Sequence, residues 1–163
     1  MKIIPTIFAE NKKEFQERFD KLLPVSKKLQ IDFMDGKFVK SKSISLSQIP
    51  NLKNCKNNFE AHLMVFSPER YLFTLKKKSF KKIIFHIEST LNPEKIIYSS
   101  EKLNLETWLA LNPETSIEII LPFLSKVEGV LLMGVHPGAE HQNFIPSVYK
   151  KIQQLKKISP KTK

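Results

Sequence analysis

Cysteine occurs once in this chain, at Cys55, so no internal disulfide can form and a thiolate metal cluster built from this chain alone is excluded. Arginine is almost as scarce. Of 27 basic residues only Arg18 and Arg70 carry guanidinium groups, and the lysines are spread along the chain with small clusters at 76–78 and 150–157. Nucleic-acid readers rely on arginine forks and aromatic platforms. The net charge of +11 therefore reads as a lysine-rich solvated surface, and nucleic acid is not the expected partner. Long apolar runs are missing as well, which removes any membrane span from the expected structure. The opening "MKIIPTIFAENKKEF" has a short apolar run that Pro5 and Glu10 interrupt, and it lacks a small-residue cleavage site, so it is poor as a signal peptide. The expected location is the cytoplasm. No low-complexity linker divides the sequence, and residues 1–163 are expected to form one domain.

What is present is an alternation of short β-type apolar runs with longer amphipathic segments. The pattern predicts strands over 3–8, 30–34, 59–64, 82–87, 108–111 and 129–135, and helices over 11–23, 68–77, 93–102, 116–124 and 146–157. Phe15, Phe19, Leu22 and Leu23 show the three-and-four spacing of a helix with one apolar face. Ser67-Pro68-Glu69, Asn92-Pro93-Glu94 and Asn112-Pro113-Glu114 each offer a capping side chain, a proline where no amide donor is needed, and an acid near the positive helix end. Strands separated by helices pair in parallel through right-handed crossovers, which makes this an α/β fold.

In parallel α/β folds ligands bind at the carboxyl ends of the strands. The chemistry-bearing residues of this chain gather there. Met34, Met64 and Met133, all four histidines (His62, His86, His136 and His141) and three glycines (Gly36, Gly134 and Gly138) fall at predicted strand ends or just beyond. A single histidine among apolar neighbours is usually a satisfied core group, and a single methionine is usually filler. Their common location marks one face of the sheet as a site.

The segments "IDFMDGKFV", "FEAHLMV", "IIFHIES", "LALNPET" and "VLLMGVHPGAEHQNFIPSVYKKIQQLKK" resemble, in order and spacing, the signature segments of the ribulose-phosphate 3-epimerase family, and "PTIF" resembles its first strand. The resemblance implies a (β/α)8 TIM-barrel fold, here incomplete, with about six of the eight βα units present. It also implies epimerisation at carbon 3 of a ketopentose 5-phosphate, interconverting D-ribulose 5-phosphate and D-xylulose 5-phosphate. Two aspartates on opposite faces of the substrate exchange protons in that family, and a divalent metal (zinc, iron, manganese or cobalt) carries the enediolate charge. By the same resemblance Asp32 is the first catalytic aspartate and a metal ligand, and His62 is a second metal ligand. Thr6, Met34, Met64, Met133, Gly138 and Gln142 stand at substrate-contacting positions. Asp35-Gly36 reads as a turn.

Three departures qualify those implications. Gln30 stands where the family has a metal-binding histidine; its amide oxygen is a weak replacement for imidazole, so metal affinity is expected to fall. The glycine-rich phosphate loop reads Gly138-Ala139-Glu140-His141-Gln142, which adds side chains and the negative charge of Glu140 where bare amides would meet phosphate, with His136 and His141 as candidate compensating groups. Finally, the family's seventh strand, with the second aspartate, and its eighth strand have no counterpart in the sequence. The first and sixth strands are then open edges, which predicts a homo-oligomer or a partner chain that covers them. The expected protein is epimerase-like but impaired as an isolated chain. The alternative is a non-catalytic family member that acts as a binding or interaction protein.

Overall fold

The structure is a computed structural model that describes residues 2–163. Its strands are β1 (Thr6–Ile7), β2 (Lys28–Met34), β3 (Asn58–Met64), β4 (Lys82–His86), β5 (Glu106–Leu111) and β6 (Gly129–Leu132). The α-helices are α1 (Lys12–Leu22), α2 (Leu72–Lys77), α3 (Pro93–Lys102) and α4 (Val148–Ile158). The six strands form one sheet in the order β1-β2-β3-β4-β5-β6, and every neighbouring pair is parallel. This is the parallel α/β sheet that the sequence pattern predicts and the incomplete (β/α) barrel-type architecture that the resemblance implies.

Period-two alternation gives the sheet two unlike faces. Leu29, Ile31 and Phe33 on β2, Phe59 and Leu63 on β3, Ile83 and Phe85 on β4, and Leu109 and Leu111 on β5 are buried together with Phe15, Phe19, Leu72, Leu75, Ile96 and Ile97 of the helices. That layer is the hydrophobic core. The alternate residues form the inner face, and strand register stacks them in rows: Gln30, Glu60, Lys82 and Glu106 are level with one another, and Asp32, His62, Ile84, Trp108 and Gly129 form the row above. In the lower row Lys82 Nζ lies 3.0 Å from Glu60 Oε1 and 3.6 Å from Glu106 Oε1, and it sits 3.9 Å from the centroid of the Trp108 ring. A buried charge has to be paired in this way or it costs several kcal/mol, on the order of 3–5 when one partner is removed.

Several expected elements form differently. β1 is only Thr6–Ile7, because Pro5 has no amide to add to the ladder; its carbonyl still accepts from Gln30 N at 3.0 Å. The segment expected as a helix over 116–124 is a 3-10 run over Ile117–Phe123, with Pro122 inside it. Of the three capping motifs only Asn92 works as read, its side chain accepting from Lys95 N at 3.0 Å. Ser67 has a left-handed φ of 54° rather than the extended backbone of a cap. Asn112 leads instead into a turn closed by Thr115 N and Asn112 O at 3.1 Å. The sheet edges β1 and β6 each have one strand neighbour, and on β6 Val130 N donates to Lys163 O at 3.2 Å.

Candidate active site

The strand ends of β1, β2, β3 and β6 surround a cavity of about 350 Å³. Thr6, Gln30, Asp32, Met34, His62, Met64, Met133 and Gly138 all line it. Eight of the nine residues singled out from the sequence are thus brought together by strands far apart in the chain. Gln142 is not among the lining residues. Its side-chain amide donates to the carbonyls of His136 and Ala139, at 2.6 and 2.9 Å, and so ties the loop after β6 to itself.

Asp32 is held from two sides. Gln30 Nε2 donates to Asp32 Oδ1 at 3.1 Å, and His62 Nδ1 lies 3.2 Å from the same oxygen. The Asp32 side chain keeps 15% of its surface exposed, whereas the His62 side chain keeps 3%. The carboxylate is thus open to the cavity, whereas the ring beside it is closed off from solvent. The far nitrogen of His62, Nε2, meets Nε2 of His86 at 3.0 Å, and the two rings stack with centroids 5.1 Å apart. His86 in turn has Nδ1 3.4 Å from Glu88 Oε2. Glu88 Oε1 accepts from Asn112 N at 2.8 Å and from the Thr115 hydroxyl. Burial lowers the His86 value from its usual one against the pull of Glu88. Burial pushes the Glu88 carboxyl up, but its neighbours His86 and Thr115 and the Asn112 amide outweigh it and hold Glu88 below the usual range.

The second acid of the opening segment does different work. Asp35 Oδ1 accepts from Lys37 N at 2.8 Å and Phe38 N at 3.0 Å, while Oδ2 accepts from Phe66 N at 2.9 Å. Partial burial pushes its carboxyl up, but these backbone amides win and hold it below the ordinary aspartate value. Asp35 pins the loop after β2 to the loop after β3. That loop brings Phe38 against the His86 ring, centroids 5.0 Å apart, and Val39 against the loop after β6. At Gly138, with φ of +109°, a Cβ would come 2.9 Å from Val39 Cβ, so only glycine fits there.

The altered loop carries less negative charge toward the cavity than its sequence implied. Glu140 is grasped by the Arg18 guanidinium, Nη1 to Oε1 at 2.7 Å and Nη2 to Oε2 at 3.2 Å, a two-pronged pair that compensates the carboxylate. His136 lines the cavity and has Nδ1 3.4 Å from Glu114 Oε1, with both side chains exposed; His141 is outside the lining. The sequence reading missed Arg18 and gave His86 and Glu88 no role. The His-x-Glu spacing at the end of β4, which puts both groups at the mouth of the same strand, was the available signal.

A divalent metal fits these residues poorly. Among the described residues no group of three or more histidine, cysteine, aspartate or glutamate side chains is placed to hold an ion. Asp32 and His62 face each other, Gln30 turns its amide nitrogen rather than its oxygen to Asp32, and both ring nitrogens of His62 already have partners. A transition-metal site needs several lone pairs converging on one point. Here they are spent on one another.

A parallel (β/α) barrel-type sheet with a cavity at the carboxyl ends of its strands is the arrangement in which enzymes on this scaffold carry their active sites. Comparison with known proteins narrows it. The pattern described as the "Ribulose-phosphate 3 epimerase family" matches residues 2–163, so this chain belongs to the ribulose-phosphate 3-epimerase family. The chain is 33% identical to a ribulose-phosphate 3-epimerase of Schizosaccharomyces pombe and 32% identical to the cytoplasmic isoform of Oryza sativa subsp. japonica; each match covers 98% of this chain and 72% of the relative. A ribulose-phosphate 3-epimerase of Methanocaldococcus jannaschii is 36% identical over 78% of this chain and 54% of its own length. This chain therefore spans from about half to about three quarters of the length of these relatives.

Proposed function

We propose that this chain, read as one domain over 1–163, carries the Asp32 half of a pentose-phosphate 3-epimerase site and does not epimerise its substrate alone. The observation that carries this reading is the pairing of the cavity's carboxylates. Asp32 and Glu140 line it, and Glu140 is bound to Arg18, which leaves Asp32 as the cavity acid without an arginine or lysine partner among the described residues. Asp32 would take the proton at carbon 3 of D-ribulose 5-phosphate or D-xylulose 5-phosphate. The Gln30 amide and the His62 N–H would hold its reactive oxygen in place. Inversion requires a proton donor on the opposite face, and among the described residues the only other carboxylate in the lining is the Arg18-bound Glu140. Met34, Met64 and Met133 would supply the apolar packing around the carbon, and Thr6 and Gly138 would meet polar parts of the substrate. A divalent ion would be held weakly, through Asp32 and His62 with Gln30 as a poor third donor, and no step above depends on it.

A second reading is favoured by the sheet edges: β1 and β6 each have one strand neighbour, so the chain could serve as a docking partner for another polypeptide. Ligand-observed NMR with D-ribulose 5-phosphate separates the two. The first reading expects saturation transfer to the sugar phosphate that weakens in Met64→Ala; no transfer at millimolar ligand would overturn it and leave the interaction role.

A further inference from the structure

Glu140 sets an electrostatic obstacle to the ligand class proposed above. Its carboxylate lines the cavity, and the loop that carries it is tied in place. Gln142 donates to the carbonyls of His136 and Ala139 at 2.6 and 2.9 Å, His141 takes a left-handed φ of 57°, and Gly138 is packed against Val39. A sugar phosphate brings up to about two negative charges near neutral pH. Charges act over about 8 Å at physiological salt, so a carboxylate on the wall of a cavity of about 350 Å³ is felt by a ligand anywhere inside it. Asp32 already places one carboxylate there, and a second uncompensated one would repel such a ligand.

Arg18 removes that obstacle. Phe15 and Phe19 are buried in the core and fix α1 against the sheet, and Arg18, between them in sequence, reaches the loop after β6. Its fork meets both carboxylate oxygens of Glu140, Nη1 to Oε1 at 2.7 Å and Nη2 to Oε2 at 3.2 Å. Arg18 Nη2 also lies 2.7 Å from Glu14 Oε1, but Glu14 is one turn back on α1 and outside the cavity lining, and its other oxygen accepts from Glu10 N at 3.0 Å. The Arg18 and Glu140 side chains keep 34% and 39% of their surface exposed, and pairs this open contribute little to stability. Tethering the loop is therefore a weak reason for the pair, and cancelling charge is the stronger one. We propose that Arg18 is a specificity-determining residue: by neutralising Glu140 it lets the cavity admit a doubly negative sugar phosphate. The inference rests on the sugar-phosphate reading above and adds that affinity follows the charge of the Arg18–Glu140 pair, not the tether it makes.

The test is the affinity of the chain for D-ribulose 5-phosphate, titrated by saturation-transfer NMR at about pH 8, above the phosphate's second pKa of about 6. Relative to wild type, Arg18→Ala adds one negative charge to the site, the combined Arg18→Ala and Glu140→Gln change leaves its charge unaltered, and Glu140→Gln removes one negative charge. Affinity should rank in that order. Arg18→Ala should bind on the order of tenfold more weakly than wild type, the effect of one close like charge at a partly exposed site. The combined variant should return to the wild-type value, and Glu140→Gln should bind more tightly. The Arg18→Ala deficit should shrink at high salt, where charges are screened. Arg18→Ala that binds as tightly as wild type would overturn the proposal. So would three variants weakened alike, the outcome that loss of a loop tether gives. A wild type that shows no transfer overturns the sugar-phosphate reading and this proposal with it, whereas the variant results bear on this proposal alone.

Discussion

Removing the Asp35 carboxylate should loosen the loops after β2 and β3 without altering a residue that lines the cavity. Asp35 accepts backbone N–H groups from Lys37, Phe38 and Phe66 at 2.8, 3.0 and 2.9 Å, and so joins two loops that no strand pairing connects. Hydrogen bonds to a charged group contribute about 1.5–3 kcal/mol each. Asp35 is half-buried, so water can take over part of this work. We expect Asp35→Ala to cost about 2–4 kcal/mol in all, a large fraction of the roughly 5–15 kcal/mol that keeps a domain folded. For a chain of this size each kcal/mol lowers the melting temperature by about 2–4 °C. Thermal unfolding followed by circular dichroism should therefore show a fall of about 5–15 °C.

The pH dependence follows from the direction of the shift. The folded value lies below the ordinary 3.8, so this contribution is complete above that value and is lost as pH falls through the folded one. The wild-type advantage over Asp35→Ala should be flat at neutral pH and shrink in acid. Hydrogen exchange at the Lys37, Phe38 and Phe66 amides should accelerate at the same time. An Asp35→Ala protein within about 0.5 kcal/mol of wild type, the ordinary range of a neutral surface change, would refute the reasoning. So would an advantage that grows on acidification.

Three further outcomes are expected. Gly129→Ala places a Cβ 2.6 Å from the Trp108 ring and should cost about 1–3 kcal/mol by overpacking, measured by denaturant unfolding. Lys82→Met leaves the buried Glu60 carboxylate with only the longer Lys28 pair at 3.9 Å and should cost up to about 3–5 kcal/mol, whereas the combined Glu60→Leu and Lys82→Met change should recover most of that loss in the same assay. The single-neighbour edges at β1 and β6 should make the chain self-associate with rising concentration; sedimentation of a stable monomer at high concentration would count against it.

The parallel fold was legible because strand-type and helix-type runs alternate clearly, and because the inner-face residues Gln30, Asp32, Glu60 and His62 keep a period of two that survives into the structure. What sequence missed is tertiary in origin. Arg18 lies on α1 and Glu140 in the loop after β6, 122 residues apart in sequence, and only the closed-up chain reveals that the added acid is compensated. The Asn112 cap failed because its carbonyl closes a turn with Thr115, whose hydroxyl bonds Glu88, a partner that local propensity does not include. His86 looked like any buried histidine until register put its ring against His62.

The measurement that bears most directly on the central claim is turnover of D-ribulose 5-phosphate by the purified chain, assayed with added zinc, iron, manganese or cobalt. With Asp32 as the one carboxylate that lines the cavity without an arginine or lysine partner among the described residues, the account predicts formation of D-xylulose 5-phosphate no faster than in the protein-free control. Metal-dependent turnover that disappears in Asp32→Asn would contradict it.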